Sequence, residues 1–598
     1  MKLSDYVIKF FVDRNIDTIF GIAGGASLHL LDSISRNKSV NLTCNHHEQH
    51  SSMAADAYAR ATMNFGVVVS TSGPGATNLI TGVCGAYYDS IPLFCVTGQV
   101  STWRQVGLTG ARQIGFQETP IVDMFKGITK YAVQLDQPEN IRFELEKAFH
   151  IMRDGRPGPV LIDIPDNLQR EIIDIDNQPS FDWRQPQNEK ISEKEEENNA
   201  NIHKIIECYN KAERPVIILG AGAARAAING KLKEFLDFLS CPVATTWGAS
   251  DFLSCDADYY VGNFGTHGNR LANFAVQNSD FILSIGARLD TKATGTPVET
   301  FARDAYKIMV DIDKHELNKF SHFNLSIDLK ICADSSSFIQ KISQYSTLFI
   351  NTNHEWINKI NIWRPRLTEI DQGFRKSDGS SHVYDFFTNI GKYLDPNSAI
   401  VSDTGCALAW LMQTFRFKKG QKFFHDYNNT AMGWSLPAVT GIFHAKQYKQ
   451  INCFIGDGSF MMSIQELSVI KHLNIPVNIF LLNNSGYSMI KQTQDQWLGG
   501  NYSGSDACID LSFPNFKSIA NSFGIEYQNL NVIGDASERL KRSFAHTKKP
   551  KLIEVKINSD ARVLPQVKFG RPNEDMEPLL DDDVFSDFMI TPSIRTFQ

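Results

Sequence analysis

Short apolar runs alternate along this chain with longer stretches whose apolar residues recur at helical spacing. In a first block the runs at 67–70, 92–97 and 159–164 read as buried strands, and 4–14 and 52–62 as amphipathic helices. A second block opens on PVIILG at 215–220 and carries further strand-like runs at 281–285 and 307–310. A third repeats the pattern at 399–401, 453–455 and 477–482. Continuous apolar strands separated by amphipathic helices predict parallel sheets covered on both faces. The expected fold class is therefore α/β, with three doubly wound parallel-sheet domains. The pattern lapses at a charged linker, 176–198, whose SEKEEENNA reads as the entry to a helix, and at a second linker, 349–380, with Trp356 and Trp363. Domains are thus expected at 1–175, 199–348 and 381–570. An acidic segment at 571–598 is expected to be a tail or a cover over an active site.

With 598 residues the chain has room for three or four cores of ordinary size. Hydrophobic residues make up 42% and charged ones 21%, as expected of a soluble globular protein. A net charge of −7 without a basic stripe argues against nucleic acid as a partner. The cysteines include no CxxC pair, which removes the usual zinc spacing, and a large chain with its own cores does not call for a disulfide framework. The opening MKLSDYVIKFF lacks a basic segment followed by a long apolar run, so no signal peptide is expected. No apolar stretch approaches ~18 residues, so no membrane span is expected, and a cytoplasmic location is the resulting expectation.

Candidate chemistry concentrates at Gly456, Asp457, Gly458 and Ser459, where the apolar run INCFI ends and a helix begins. A helix N-terminus offers free N–H groups and a positive dipole end, which suit a diphosphate, and flanking glycines let the backbone come close. Asn484 closes the next strand, VNIFLLNN, so both side chains emerge at one sheet edge. A carboxylate, an amide oxygen and phosphate oxygens make the oxygen-rich shell that Mg2+ prefers. The bland alternative is a surface turn plus a strand-ending asparagine. GDG after an apolar strand, with NN closing the next, is nevertheless the thiamine diphosphate signature.

Over nearly its full length the chain resembles the acetolactate synthase family. AMGWSLPA, GDGSFMMSIQEL and LLNN in the third block follow that family's order and spacing. So do HEQHSSMAADAYAR, TSGPGATNLITG, DSIPLFCVTGQV and FQE in the first. The resemblance implies pyrimidine-binding, central and diphosphate-binding domains in that order. It implies that Glu48 is the catalytic glutamate, hydrogen-bonded to the aminopyrimidine ring of thiamine diphosphate, where a carboxyl group suits proton relay. His46, His47 and His50 surround it, but HExxH is absent because position 51 is serine. Met432 is implied as an apolar wedge under the cofactor, although a methionine is more often core. Gly73, Pro74, Gly75 and Asn78 are implied as a cofactor-side turn, Thr404 and Gly405 as part of the diphosphate loop, and Phe116 and Gln117 as substrate-side catalytic residues. Gly486 is implied as a third, backbone-carbonyl metal ligand beside Asp457 and Asn484. In the central block Gly220, Gly222, His267 in NFGTHG, Gly286 and Arg288 in GARLD, and Asp311 resemble FAD-contacting segments, so FAD is expected. An empty central domain is the alternative. Active sites at the subunit interface of a homodimer or tetramer complete the implication.

Three departures matter. Biosynthetic members carry a tryptophan where Thr493 stands, near Met489, and losing a large aromatic opens the acceptor pocket. The diphosphate loop continues with Cys406 and Ala407, where the family often has Gln-His. The segment STWRQVGLTGARQIG is lengthened and adds Arg104 and Arg112. The expected activity is decarboxylation of pyruvate, or a related 2-oxo acid, and transfer of the two-carbon unit to a carbonyl acceptor. The wider pocket and added arginines point to a larger, anionic acceptor such as a nucleotide-linked keto-sugar. Biosynthetic acetolactate synthase, a simple 2-oxo acid decarboxylase or 2-hydroxyacyl lyase, and a catalytically silent binding subunit are the alternatives. Joint retention of Glu48, Asp457 and Asn484 argues against the last.

Overall fold

The computed structural model describes the chain except at 183–190, 227–229, 254–256, 352, 532–543, 545–547 and 596–598. The apolar runs become strands buried on both faces, such as GVVVS and PVIIL, and they line up in three parallel six-stranded sheets. The first sheet comprises β1 (Thr18–Gly21), β2 (Asn41–Cys44), β3 (Gly66–Ser70), β4 (Leu93–Gln99), β5 (Tyr131–Gln134) and β6 (Val160–Pro165), in the order β2-β1-β3-β4-β6-β5. The central sheet comprises β7 (Pro215–Leu219), β8 (Val243–Thr245), β9 (Tyr260–Asn263), β10 (Phe281–Ile285), β11 (Tyr306–Asp311) and β12 (Leu329–Cys332), in the order β12-β11-β10-β7-β8-β9. The third comprises β13 (Ala399–Ser402), β14 (Lys422–Phe424), β15 (Ile451–Gly456), β16 (Val477–Asn483), β17 (Glu526–Asn531) and β18 (Lys551–Lys556), in the order β14-β13-β15-β16-β18-β17.

Counted from its own first strand, each outer sheet runs 2-1-3-4-6-5, while the central sheet runs 3-2-1-4-5-6, the dinucleotide-binding order. Strand order reverses between β1 and β3, between β7 and β10, and between β13 and β15. In open parallel sheets, ligands settle at the carboxyl ends of the strands beside such a reversal. Those three points are where Gly73, Gly286 and Gly456 lie.

Two segments differ from the expected connections. The second linker is mostly one helix, His354–Ser377, which buries Trp356, Ile360, Trp363 and Leu367 in the central core. Its indole pair sits 5.5 Å apart, edge to face, so the tryptophans are core residues. The acidic segment is not a free tail. Leu580, Phe585 and Phe588 join that same core. The helix Arg270–Gln277 holds the segment by its side chains: Arg270 Nη1 donates to Met576 O at 3.1 Å, and Asn273 Nδ2 to Asn573 O at 2.9 Å. Its acids find cations, Glu574 with Arg303 at 2.8 Å and Asp575 with Arg595 at 3.5 Å. Of the first linker, 183–190 lies outside the described residues, and a helix runs from Ile191 to Lys211.

The outer domains meet through the helices Glu48–Thr62 and Ser435–His444. A Cβ on Gly441 would stand 2.0 Å from the carbonyl oxygen of Ala54, so this contact requires glycine.

Candidate active site

At the β15 end, Asp457 opens a helix, as the apolar-run-then-GDG pattern predicts. Its carboxylate is 1% exposed. Oδ1 accepts the Gly458 N–H at 2.7 Å, and Oδ2 accepts those of Asn484 at 3.2 Å and Gly486 at 3.3 Å. Burial pushes its pKa up to about 6 although these N–H groups pull the other way. A buried carboxylate without a cation is costly, so the residue suits a bound metal. Asn484 Nδ2 donates to Ser488 Oγ at 2.7 Å, which turns Oδ1 away from that partner. The backbone of the turn at 484–486 is thereby held against the Asp457 carboxylate. Among the described residues no cluster of three His, Cys, Asp or Glu side chains could hold a metal, so a cation here needs ligand oxygens from elsewhere, such as a diphosphate. Ser459 is buried beneath this turn.

The β13 end supplies a second arm. Gly405 takes φ +83° and starts the helix Cys406–Thr414, with Thr404 half-buried before it. Asp403, the first residue of the diphosphate loop read from the sequence, also organises the loop holding Met432. Its carboxylate accepts the N–H of Gly433 at 3.1 Å and of Ser435 at 2.9 Å. Met432 is half-buried and belongs to no core cluster, unlike an ordinary core methionine.

In the first domain Glu48 begins the helix Glu48–Thr62, whose N-terminus is capped by His47 Nδ1 accepting the Gln49 N–H at 3.1 Å. Asn78 Nδ2 donates to Glu48 Oε2 at 2.9 Å, while Gly75 leaves room at Oε1. Gly73 (φ +58°) and Gln117 (φ +64°) are both left-handed and touch: a Cβ on Gly73 would stand 2.9 Å from Gln117 O. Left-handed backbone at a non-glycine is stored strain, a feature of ligand sites. Pro74 starts the short helix after Gly73. Phe116 is 84% exposed, so it is no core residue.

Along the helix Glu48–Thr62, Asp56 is the residue that meets the Met432 loop, through Trp434 Nε1 donating to Asp56 Oδ2 at 3.2 Å. Glu48 lies eight residues earlier, roughly 12 Å along the helix.

The central switch point opens on a cavity of about 610 Å³, lined by Gly222, His267, Gly286, Arg288 and Asp311, with Arg225 and Arg156 at its sides. Gly220 does not line it; a Cβ there would strike Gly286 O at 2.1 Å, so this glycine serves the packing of two turns. Arg288 (φ +54°) gives Nε to Glu316 at 3.0 Å, and its Nη1 is buried without a partner. His267 Nδ1 is likewise unpartnered, and burial pushes this imidazole down to about 3. Orphaned donors at a dinucleotide-binding crevice fit an anionic cofactor.

The acceptor-side expectations fare unevenly. Arg104 is not a free cation: it pairs with Asp166 at 3.1 Å and with Ser101 Oγ at 3.1 Å. Arg112 stands on the exposed part of its loop. Glu118 shapes that loop by accepting the N–H groups of Val106, Ile114 and Gly115. Met489 is half-buried against the third core, and Thr493 Oγ1 donates to Met489 O at 3.0 Å.

Three family models match the chain: Thiamine pyrophosphate enzyme, N-terminal TPP binding domain over 1–124; central domain over 202–342; and C-terminal TPP binding domain over 403–555. The chain is 30% identical to "Acetolactate synthase isozyme 2 large subunit" of Escherichia coli K12, over 96% of this chain and 99% of that protein. It is 30% identical to "Acetolactate synthase, chloroplastic" of Arabidopsis thaliana, over 95% and 83%. It is 29% identical to "Acetolactate synthase large subunit" of Lactococcus lactis, over 96% and 95%.

Proposed function

Because this chain belongs to the thiamine pyrophosphate enzymes of the acetolactate synthase family, we propose that it decarboxylates pyruvate and joins the remaining two carbons to a carbonyl acceptor. One observation carries the proposal. At the third sheet's reversal a buried carboxylate that opens a helix is bonded to the backbone of the turn carrying the Asn484 amide, a placement that suits Mg2+ and a diphosphate. Bound thiamine diphosphate supplies a nucleophilic carbon and an electron sink for the carboxylate's departure.

The protein's own groups divide the remaining work. Asp457, Asn484 and the Gly486 carbonyl hold the cation, and Thr404, Gly405, Gly458 and Ser459 give the diphosphate close backbone approach. Met432 supports the cofactor from below. Glu48 Oε1 exchanges a proton with the pyrimidine ring while Asn78 holds Oε2 in place. Phe116 and Gln117 face the donor. Glu48 stands roughly 12 Å along its helix from the Trp434–Asp56 contact, which favours a homo-oligomer in which one subunit supplies Glu48 and another the cation turn. The central cavity takes FAD, with Arg288 on its phosphates and Asp311 at the end of β11 on a ribose.

The acceptor is larger than pyruvate in this reading, because a threonine stands at 493 where biosynthetic members of the family carry a tryptophan. A nucleotide-linked keto-sugar has the required carbonyl and bulk. Arg104, neutralised by Asp166, adds no cation for it. The test is NMR of carbon-labelled pyruvate with the enzyme, thiamine diphosphate and Mg2+. Slow CO2 release with little acetolactate, accelerated by a keto-sugar nucleotide, is expected. Rapid acetolactate formation from pyruvate alone would make a second pyruvate the acceptor. Absence of CO2 would refute the whole reading. Denaturing the purified protein and reading flavin absorbance in the supernatant tests the cavity.

A further inference from the structure

Glu466 is a fully buried carboxylate in the diphosphate-binding domain, and the polar groups that bond it come from the other outer domain. Asn45 Nδ2 donates to Oε2 at 2.8 Å, the His46 N–H to Oε1 at 3.3 Å, and His50 Nδ1 lies 3.0 Å from Oε1. Asn45 and His50 are themselves buried. These three residues bracket Glu48, which sits on the first turn of its helix. Glu466 opens the helix Glu466–His472, directly after the Asp457–Ser463 helix that starts at the cation turn. A buried carboxylate is retained at a cost unless its bonds are all made, so its place here calls for a task.

We propose that Glu466 is a positioning residue for Glu48: it clamps the 45–50 turn so that Glu48 presents Oε1 at a fixed angle. This rests on the reading of Glu48 as the proton-relay carboxylate. The logic is mechanical. The strand β2 ends at Cys44, and the helix begins at Glu48, so the intervening residues have no sheet or helix ladder to hold them. Within that interval the bonds to Glu466 from Asn45 and His46 fix the chain, and His50 fixes the first helical turn from the other side. His47 caps the helix but touches no other domain through that bond. A hydrogen-bonded clamp of this kind sets a reacting group's orientation, to which proton transfer is sensitive.

A conservative variant separates shape from charge. In Glu466→Gln the amide oxygen keeps the bonds from His46 N and His50 Nδ1. Its NH2 would meet Asn45 Nδ2, but Asn45 Oδ1 is buried without a partner, so turning that side chain over restores the third bond. Glu466→Ala loses all three.

The experiment uses the full chain. Three quantities are read for the parent, Glu466→Gln and Glu466→Ala: deuterium exchange at C2 of bound thiamine diphosphate, thiamine diphosphate affinity, and amide exchange of the 45–50 segment in the cofactor-free chain. For Glu466→Ala, C2 exchange slows on the order of tenfold or more and the 45–50 amides exchange faster, while cofactor affinity changes by only about threefold, since the diphosphate is held elsewhere. Glu466→Gln recovers most of both. Unchanged C2 exchange in Glu466→Ala overturns the proposal. So does equal loss of affinity and of exchange in both variants, which marks a merely structural residue. Glu48→Gln runs in parallel: if it keeps parental C2 exchange, the Glu48 reading fails and takes this proposal with it. If Glu48→Gln is slow and Glu466→Ala is not, only the clamp is refuted.

Discussion

Replacing Gly458 by alanine loads the cation turn with a methyl group it has no room for. A Cβ there would stand 2.0 Å from Cε1 of Tyr487 and 2.6 Å from Cδ1. Carbon–carbon contact is comfortable from about 3.5 Å, so the ring must retreat by roughly 1.5 Å. The backbone of Tyr487 resists: its N–H donates to Ser505 O at 2.9 Å and its carbonyl accepts the Lys491 N–H at 2.9 Å. Whatever yields carries Asn484 and Gly486 with it. Overpacking of this kind costs about 1–3 kcal/mol. If that cost falls on the ligand-ready turn, Mg2+ binding weakens by about 5- to 140-fold at 1.4 kcal/mol per decade. Titrating Mg2+ into the cofactor-stripped chain with saturating thiamine diphosphate, followed by tryptophan fluorescence, reads this directly. Adding Tyr487→Leu should restore binding, with a coupling of at least about 1 kcal/mol in the double-mutant cycle. Binding by Gly458→Ala within twofold of the parent, or a second substitution that leaves it unmoved, refutes the steric argument.

Thr493→Trp refills the open acceptor position, so preference should move toward pyruvate as acceptor; competition between labelled pyruvate and a bulkier carbonyl compound measures it. Arg270→Met strips Asp371 of its 2.6 Å partner and leaves two carbonyls of the C-terminal segment without a donor. A loss of about 3–5 kcal/mol is expected, seen as a lower Tm and faster proteolysis within 566–595. His425 is buried, and that burial pushes its imidazole down to about 4 although the Ser402 carbonyl pulls it up. A depressed folded-state value means its neutral form contributes stability above about 6.5, lost progressively as pH falls toward 4; the difference is about 3 kcal/mol at 1.36 kcal/mol per unit. His425→Asn should flatten the fall in Tm between pH 6.5 and 4, and an unchanged slope would assign that acid sensitivity to other groups.

The strands β3, β4, β6, β7, β10, β11, β13, β15 and β16 were legible because parallel strands buried on both faces read as unbroken apolar runs, whereas edge strands such as β2, β5 and β12 are partly exposed and carry no such run. GDG and NN were legible for a related reason: the strand fixes where Asp457 and Asn484 emerge, so local spacing carries the geometry. What escaped was held by distant partners. Asp403 was read only as the head of the diphosphate loop, yet it also holds the Gly433 and Ser435 amides. Arg104 read as a free cation because Asp166 is far away in sequence. The C-terminal acids read as a solvated tail because Arg303 and Arg595, their partners, carry no pattern of their own. Gly220 read as a phosphate-approach glycine, but its neighbour is Gly286, another turn.

The same distinction bears on how the site is shared. The two outer sheets have one strand order and place their switch points alike, so each offers half of a ligand crevice. Within a chain those halves are joined through their helices: Gly441 lies against Ala54, and Trp434 against Asp56. A contact this close has no slack for sliding, because its spacing is set by a missing Cβ. Rearranging one chain to bring Glu48 onto its own Asp457 would have to break that contact and the three bonds to Glu466 together. Apposing Glu48 to the cation turn of a second copy breaks neither. Mixing a Glu48→Gln chain with an Asp457→Asn chain therefore should restore activity toward a quarter to a half of the parent's, according to how freely the subunits exchange. Mixtures that stay as inactive as either chain alone, after exchange has been verified by mass, would place both halves in one subunit.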